Sequence, residues 1–276
     1  MAKSALLKSS IGKKYWMALT GLFLCVFLIG HLVGNLQLIY ASDLQFNQYA
    51  HFMTTNPAVK VLSYLTYFSI LFHAVDGILL TIQNKKARPV GYAKNNAAAN
   101  STWQSRNMAV LGTLLLVFIV THMTNFWAKM HFSEMPLQTQ VLATPMGDVE
   151  MYNTTSGSFI EKQQVEMGGL ELKNGKEFYI PNSDLKFAEG YKDLYKITVD
   201  FFKNPVNNMG LIATILYVLS MAVLSFHLLH GFKSAFQSLG LNHTKYNGII
   251  KCAGTAFAII VPLLFAIIPV YIHFVK

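Results

Sequence analysis

Four histidines lie deep inside apolar stretches of the sequence, one in each of four stretches. They are His31, His73, His122 and His227. Ionisable groups within hydrophobic helices are rare and by default suggest a function. The alternative for a single residue is a hydrogen bond to a neighbouring helix, but four helices with one histidine each are harder to explain in that way. These four side chains are therefore the first candidates for chemistry.

The composition indicates which elements carry these histidines. Hydrophobic residues make up 53% of the 276 residues and charged residues only 13%, whereas about 25% of the residues of soluble domains are charged. Five apolar stretches reach the ~20 residues that a helix needs to cross a bilayer. They are 15–40, 58–83, 107–129, 208–235 and 248–274. We therefore predict an all-α membrane protein with five transmembrane helices.

Lysine and arginine residues predict the orientation of these spans. They lie at the N-terminus, in the second-to-third connection and around the fourth-to-fifth connection: Lys3, Lys8, Lys13, Lys14, Lys85, Lys86, Arg88, Lys94, Arg106, Lys233, Lys245 and Lys251. The connection 41–57 has neither residue type. The positive-inside rule predicts a multi-pass protein with a cytoplasmic N-terminus. The net charge is +9, but no stretch of the sequence interleaves basic with aromatic residues. We therefore expect no nucleic-acid partner.

The long connection between the third and fourth spans has a different composition. It contains eleven of the thirteen acidic residues, between Glu134 and Asp200. Its stretches EFYI and YKITVDFF are β-like, so we expect a small folded insertion rather than a disordered tether. The predicted division is 1–129 with spans one to three, 130–207 as an extracytoplasmic loop insertion, and 208–276 with spans four and five.

The depths of the four histidines predict two pairs. Because neighbouring spans run antiparallel, His31 and His122 lie towards the outside, and His73 and His227 towards the inside. At ~1.5 Å per residue the two levels are roughly 12–15 Å apart. Two imidazoles that face each other can fill both axial positions of a haem iron. The sequence has no C-x-x-C-H motif for covalent haem, and Cys25 and Cys252 are too few for a disulfide framework.

Glycines follow three of the histidines at helical spacing. Gly77 is four residues after His73, Gly231 four after His227, and Gly34 three after His31. Residues at this spacing share a helix face, so a missing side chain would leave room for a porphyrin. The alternative is close helix–helix packing.

Other polar residues near the two levels have several interpretations. His230, about 60° round the helix from His227, is expected beside the inner haem or its propionates rather than as a ligand. Asp76 is expected to pair with a lysine from the cytoplasmic edge or with His230. Asn35 and Gln37 could contact a quinone headgroup or cap neighbouring backbone.

The whole pattern resembles the di-haem cytochrome b membrane anchor of the succinate dehydrogenase and fumarate reductase family, in its single-subunit, five-helix type that works with menaquinone. The similarity covers all five spans, with GLFLCVFLIGHLVGNL, LFHAVDG, VTHMTNF and SFHLLHGFKSAFQSLG around the four histidines. It implies a four-helix haem bundle with a flanking helix, and two b-type haems held by His31 with His122 and by His73 with His227. The family motif H-x-x-x-G selects His227 over His230 as the ligand.

The resemblance also implies partners and a location. A flavoprotein and an iron–sulfur subunit would dock on the cytoplasmic face, against loops 84–106 and 236–247. The complex would lie in a bacterial-type inner membrane and exchange electrons with quinone, without dicarboxylate catalysis in this chain. Two departures are the longer outer loop and Ser225, which stands where some members have a glutamate implicated in proton movement.

Two other functions fit the buried histidines. One is the cytochrome b anchor of another respiratory dehydrogenase, such as a hydrogenase or formate dehydrogenase. The other is a proton-coupled transporter whose histidines titrate, although such relays usually include carboxylates and Asp76 is the only one in a span.

Overall fold

A computed structural model describes residues 9–90, 94, 96–145 and 147–276 of the chain. Five helices are long and apolar enough to cross a membrane: Ile11–Tyr40, Pro57–Lys86, Met108–Phe132, Val206–Ser238 and Thr244–Phe274. The prediction of an all-α membrane protein with five spans is therefore confirmed. Lys3 and Lys8, which contributed to the predicted orientation, lie outside the described residues, as do 91–93 and 95 of the 84–106 connection.

The helices are numbered here in chain order. They are α1 Ser10–Tyr40, α2 Asp43–Thr55, α3 Pro57–Lys86, α4 Ala97–Asn100, α5 Trp103–Arg106, α6 Met108–Met123, α7 Lys129–Phe132, α8 Lys162–Glu166, α9 Leu194–Lys203, α10 Met209–Ser238 and α11 Thr244–Phe274. A π-helical turn, Thr124–Ala128, joins α6 to α7, and a 3-10 turn, Val206–Asn208, precedes α10. The spans are thus α1, α3, α6 with α7, α10 and α11.

The first connection contains a helix that the sequence analysis did not predict. The segment 41–57 was treated as a plain connection, but residues Asp43–Thr55 form α2. The Ser42 hydroxyl accepts a hydrogen bond from the Gln45 backbone N–H at 3.2 Å, and Asp43 adds a negative charge to the first turn. Both features stabilise a helix N-terminus.

The chain divides into two compact units. The first comprises Met1–Asn35, Val61–Val120 and Ile212–Tyr271, and the second Leu36–Lys60, Thr121–Leu211 and Ile272–Lys276. In the first unit, Cys25, Leu228 and Ala258 form a buried cluster from α1, α10 and α11. Both cysteines are free thiols, as expected. Cys25 is buried, but Cys252 is exposed and does not pack in the core.

The second unit contains two small antiparallel sheets. The strands are β1 Thr139–Thr144, β2 Gly147–Asn153, β3 Phe159–Glu161, β4 Glu171–Lys173, β5 Glu177–Tyr179 and β6 Lys186–Glu189. One sheet has the order β1-β2-β3 and the other β4-β5-β6. Phe178 is fully buried in a core with Leu137, Ile160 and Leu170. The 130–207 insertion is therefore folded, as expected.

One part of the insertion was predicted wrongly. The stretch EFYI does contain strand β5, but YKITVDFF, at 195–202, belongs to helix α9. Asp193 caps this helix by accepting a hydrogen bond from the Lys196 backbone N–H at 2.9 Å. Thr198 and Phe202, four residues apart, are both buried. Thr198 and Phe202 thus share the buried face of a helix, and the β-branched and aromatic residues around them do not form a strand.

Polar side chains hold α2 to the insertion within the second unit. Asn47, which is 1% exposed, donates a hydrogen bond to the Gln138 side chain and a second one to Asp193 Oδ1 at 2.8 Å. Its own oxygen accepts from the Tyr195 backbone N–H at 2.9 Å. Gln138 in turn donates to Asp43 Oδ2 at 2.9 Å. Buried polar groups paired in this way avoid the cost of desolvation.

The last residues of the fifth span, Ile272–Lys276, belong to the second unit and are bonded within it. His273 Nδ1 donates a hydrogen bond to the carbonyl of Phe202 at 2.7 Å. Lys276 bonds the Tyr195 hydroxyl, and its ammonium group lies 4.4 Å from the centre of that ring. Helix α9 is therefore bonded both to α2 and to the C-terminal residues of the chain.

Candidate functional site

The two histidines predicted for the inner level lie side by side in the first unit. His73 on α3 and His227 on α10 have ring centroids 6.2 Å apart, with 64° between the ring planes. Both residues are half-buried. No group of three or more histidine, cysteine, aspartate or glutamate residues that could hold a metal occurs in the described part of the chain. The site is therefore a pair of imidazoles rather than part of a larger ligand cluster.

The separation of the rings can be compared with that of two axial ligands. Imidazole nitrogens bind transition metals at ~2 Å, and each nitrogen lies ~1 Å from the centre of its own ring. Two rings on opposite sides of one metal ion therefore have centroids about 6 Å apart. The observed 6.2 Å is close to this separation.

His73 is held by residues of the first span, which the sequence analysis did not single out. Its Nδ1 lies 3.2 Å from the Met17 carbonyl oxygen and 3.3 Å from the Thr20 hydroxyl oxygen. A Cβ atom at Gly21 would lie 3.1 Å from His73 Cε1. Sequence spacing carries no signal for these contacts, because they depend on how α1 is rotated against α3.

His227 has a different environment. Its Nδ1 is buried and has no hydrogen-bond partner among the described residues. A Cβ atom at Gly112 would come only to 3.9 Å from the ring, an ordinary contact distance. Buried nitrogens without partners are rare, since leaving one unpaired is costly. An uncompensated nitrogen next to another imidazole fits a site that binds a further group.

The glycines predicted to clear space for a porphyrin are not needed for the packing of the described chain. A Cβ atom at Gly77 would meet only the methyl group of Met17, at 3.9 Å, and one at Gly231 would meet the ring of His227, also at 3.9 Å. These are ordinary contacts, so the helix–helix packing alternative is weakened at both positions. Gly34, the third predicted glycine, is buried.

His31 lies in the first unit among aromatic rings. It stacks on Phe27, with centroids 5.2 Å apart, and contacts Phe265 of the fifth span at 5.7 Å. The Asn35 amide nitrogen lies 3.4 Å from His31 Nδ1 and donates to the His31 carbonyl at 2.8 Å. Asn35 thus caps backbone of its own helix, which was one of its two predicted roles. Gln37 is half-buried near the end of α1.

His122 belongs to the second unit. It is the penultimate residue of α6, directly before the π-helical turn, and its ring contacts Phe126 at a centroid distance of 5.4 Å. Single π-helical turns are frequent at functional sites. The two histidines predicted for the outer level are thus in different units, and their pairing stays a prediction.

The expected ion pair of Asp76 is not found. Among the described residues Asp76 has no salt bridge, either to a lysine or to His230, within 4.0 Å. His230 is half-buried. His230 and Asp76 therefore remain neighbours of the site without a bond between them.

Comparison with family models, with curated proteins and with solved structures found no match to this chain.

Proposed function

We propose that the chain is the membrane-anchor cytochrome b subunit of a succinate:quinone oxidoreductase. His73 with His227, and His31 with His122, would hold two b-type haems, which would supply one-electron transfer when bound. The chain itself would carry out no dicarboxylate chemistry. Its anchor role also implies surrounding lipid, a quinone, and flavoprotein and iron–sulfur partners on the cytoplasmic side of a bacterial-type inner membrane.

The observation that carries the proposal is the inner pair of imidazoles. The 6.2 Å between ring centroids suits two nitrogens on opposite sides of one iron. The unpartnered Nδ1 of His227 supports the same interpretation, as do Gly77 and Gly231, where an added Cβ atom would make only ordinary contacts at 3.9 Å. A structural histidine pair would be expected to use its buried nitrogens within the protein.

The chain's own residues would orient the ligands and exclude water. Both imidazoles lie on apolar spans, so a metal held there would experience a low dielectric and few competing ligands. The basic connections 84–106 and 236–247 would attract soluble partners of opposite charge. Because the inner pair lies on the predicted cytoplasmic side, it would face the iron–sulfur subunit.

The first experiment is a reduced-minus-oxidised spectrum of the purified protein, with haem quantified per polypeptide. We expect b-type bands and two haems. A protein without haem would contradict the proposal and favour the proton-coupled transporter. Co-purification of a hydrogenase or formate dehydrogenase, instead of a flavoprotein that oxidises succinate, would assign the chain to another respiratory complex.

The second experiment tests the outer pairing. If His31 and His122 hold one haem, the variants His31→Ala and His122→Ala each lose the same haem, and the double variant loses no more. His243→Ala is the control, because His243 is exposed. Loss of two different haems in the two single variants would show that the pairing is wrong.

A further inference from the structure

The hydrogen bonds of His73 determine which of its nitrogens carries the proton. The Met17 carbonyl, 3.2 Å from Nδ1, can only accept a hydrogen bond. The Thr20 hydroxyl donates its own proton to the Trp16 carbonyl at 2.8 Å, so its oxygen faces Nδ1 at 3.3 Å as an acceptor. Nδ1 is therefore the protonated nitrogen, and Nε2 has the free lone pair.

Gly21 allows this approach. A methyl group in its place would lie 3.1 Å from His73 Cε1 and 3.5 Å from Nδ1. The first of these distances is tighter than normal packing, so the ring would have to move away from α1. Gly21 thus sets how closely the imidazole can approach the Met17 carbonyl.

We propose that Met17, Thr20 and Gly21 of the first span act as positioning residues for His73, fixing its tautomer and ring orientation so that Nε2 is the metal ligand. This inference rests on the proposed function. A hydrogen bond from the distal ring N–H to an acceptor fixes a ligand histidine and makes it a more basic donor.

The Thr20 hydroxyl can be removed with little change of shape. In Thr20→Val the inner haem should shift to a more positive midpoint potential, because His73 loses one of its two acceptors and becomes a weaker donor. Its low-spin EPR signal should change as well, and the outer haem should keep its potential. Thr20→Ser restores the hydroxyl and should restore the potential.

The matched control is Thr66→Val. Thr66 is also a buried threonine of a span, 4% exposed, and its hydroxyl donates to the Leu62 carbonyl of its own helix at 2.9 Å. It should leave both potentials unchanged. An unchanged inner potential in Thr20→Val, or an equal shift in Thr66→Val, would overturn the inference.

A second pair of variants tests whether Gly21 acts by leaving space for the His73 ring. Gly21→Ala should lower the occupancy of the inner haem and alter its EPR signal, since the ring has to move. Gly30→Ala, on the same helix, places its methyl group where no described atom beyond the neighbouring residues and the adjacent helix backbone lies within 4 Å, and should change neither. Equal effects of the two variants would contradict a positioning role for Gly21.

The two proposals fail in distinguishable ways. A wild-type protein without haem removes the proposed function and the inference together. A wild-type protein with two haems, whose potentials are insensitive to Thr20→Val and Gly21→Ala, removes only the inference.

Discussion

Buried polar atoms are used differently in the two units. In the first unit, His227 Nδ1 lies buried beside another imidazole without a hydrogen-bond partner in the described chain. In the second unit, Asn47, Gln138 and Asp193 are almost completely buried and bonded to one another, although Asn153 Oδ1 is unpartnered there. The comparison teaches that the second unit uses its polar groups to hold the fold. In the first unit, by contrast, the Nδ1 nitrogen of His227 forms no hydrogen bond that would hold the fold.

The largest expected effect separates His227 from its neighbour His230. His227→Ala should abolish binding of the inner haem, because it removes one of two axial ligands, while His230→Ala should only perturb its spectrum. The haem-to-protein ratio of each purified variant measures the difference. Loss of the haem in His230→Ala, with retention in His227→Ala, would show that His230 and not His227 is the ligand.

Truncation of the core of the second unit should destabilise that unit alone. Phe178 is fully buried, and Phe→Ala changes in cores cost about 3–5 kcal/mol. We expect Phe178→Ala to lower the free energy of unfolding of the insertion, detected as faster proteolysis within 130–207. Binding of the inner haem should persist. Loss of the inner haem in Phe178→Ala would show that haem binding in the first unit depends on the stability of the second unit.

The polar network should contribute a smaller amount. Asn47→Ala leaves buried groups of Gln138, Asp193 and the Tyr195 backbone without their partner, at a cost of about 1–3 kcal/mol. A thermal melt of the insertion should show the loss, and the potentials of the haems should not change. The control Lys196→Ala removes an exposed side chain that bonds Asp200 at 2.8 Å. If the control lost as much stability as Asn47→Ala, burial of the bonded groups would not be the cause of the loss.

Acid should weaken the second unit slightly. Hydrogen bonds from Lys186 and Asn174 hold the pKa of Glu177 below its ordinary value of 4.5. Burial raises the pKa of Glu189, but the bonds from Lys176 and Lys186 outweigh it, so this pKa is lowered too. A lowered folded pKa adds stability above the ordinary value, which is lost as the pH falls through the folded pKa.

The corresponding variant is Lys186→Met, because Lys186 bonds Glu177 at 2.6 Å and Glu189 at 2.8 Å. Thermal melts at pH 7 and at pH 3 should show a smaller difference in this variant than in the wild type. The effect should be modest, since exposed ion pairs contribute little. An unchanged pH difference would mean that these pairs do not stabilise the insertion.

The five spans could be predicted because hydropathy and length alone define a membrane helix. Helix α2 was missed although Ser42 and Gln45 have the spacing of a capping box, since the segment is short and lies between two stronger signals. Helix α9 was predicted as β-like from its valine, threonine and phenylalanine residues. The four-residue spacing of Thr198 and Phe202 was the better guide.

The candidate site could be predicted only in part. Helix depth predicted which histidines of the inner level meet, and the structure places His73 next to His227. The contacts of Met17 and Thr20 with His73 could not be predicted, because the apolar sequence of α1 does not define which of its faces turns towards α3. Asp76 is the opposite case: its charge predicted an ion pair, but the described residues do not form one.

The π-helical turn Thr124–Ala128 gives the third span one residue more than a regular helix of the same rise. Such a bulge leaves the helix before it and the helix after it in phase. A one-residue deletion there would therefore convert the turn into regular α-helix and keep both flanks in register. Elsewhere in the same span a deletion would rotate every later side chain by about 100°. The segment just after His122 is thus the place where this span can lose one residue while its later side chains keep their directions.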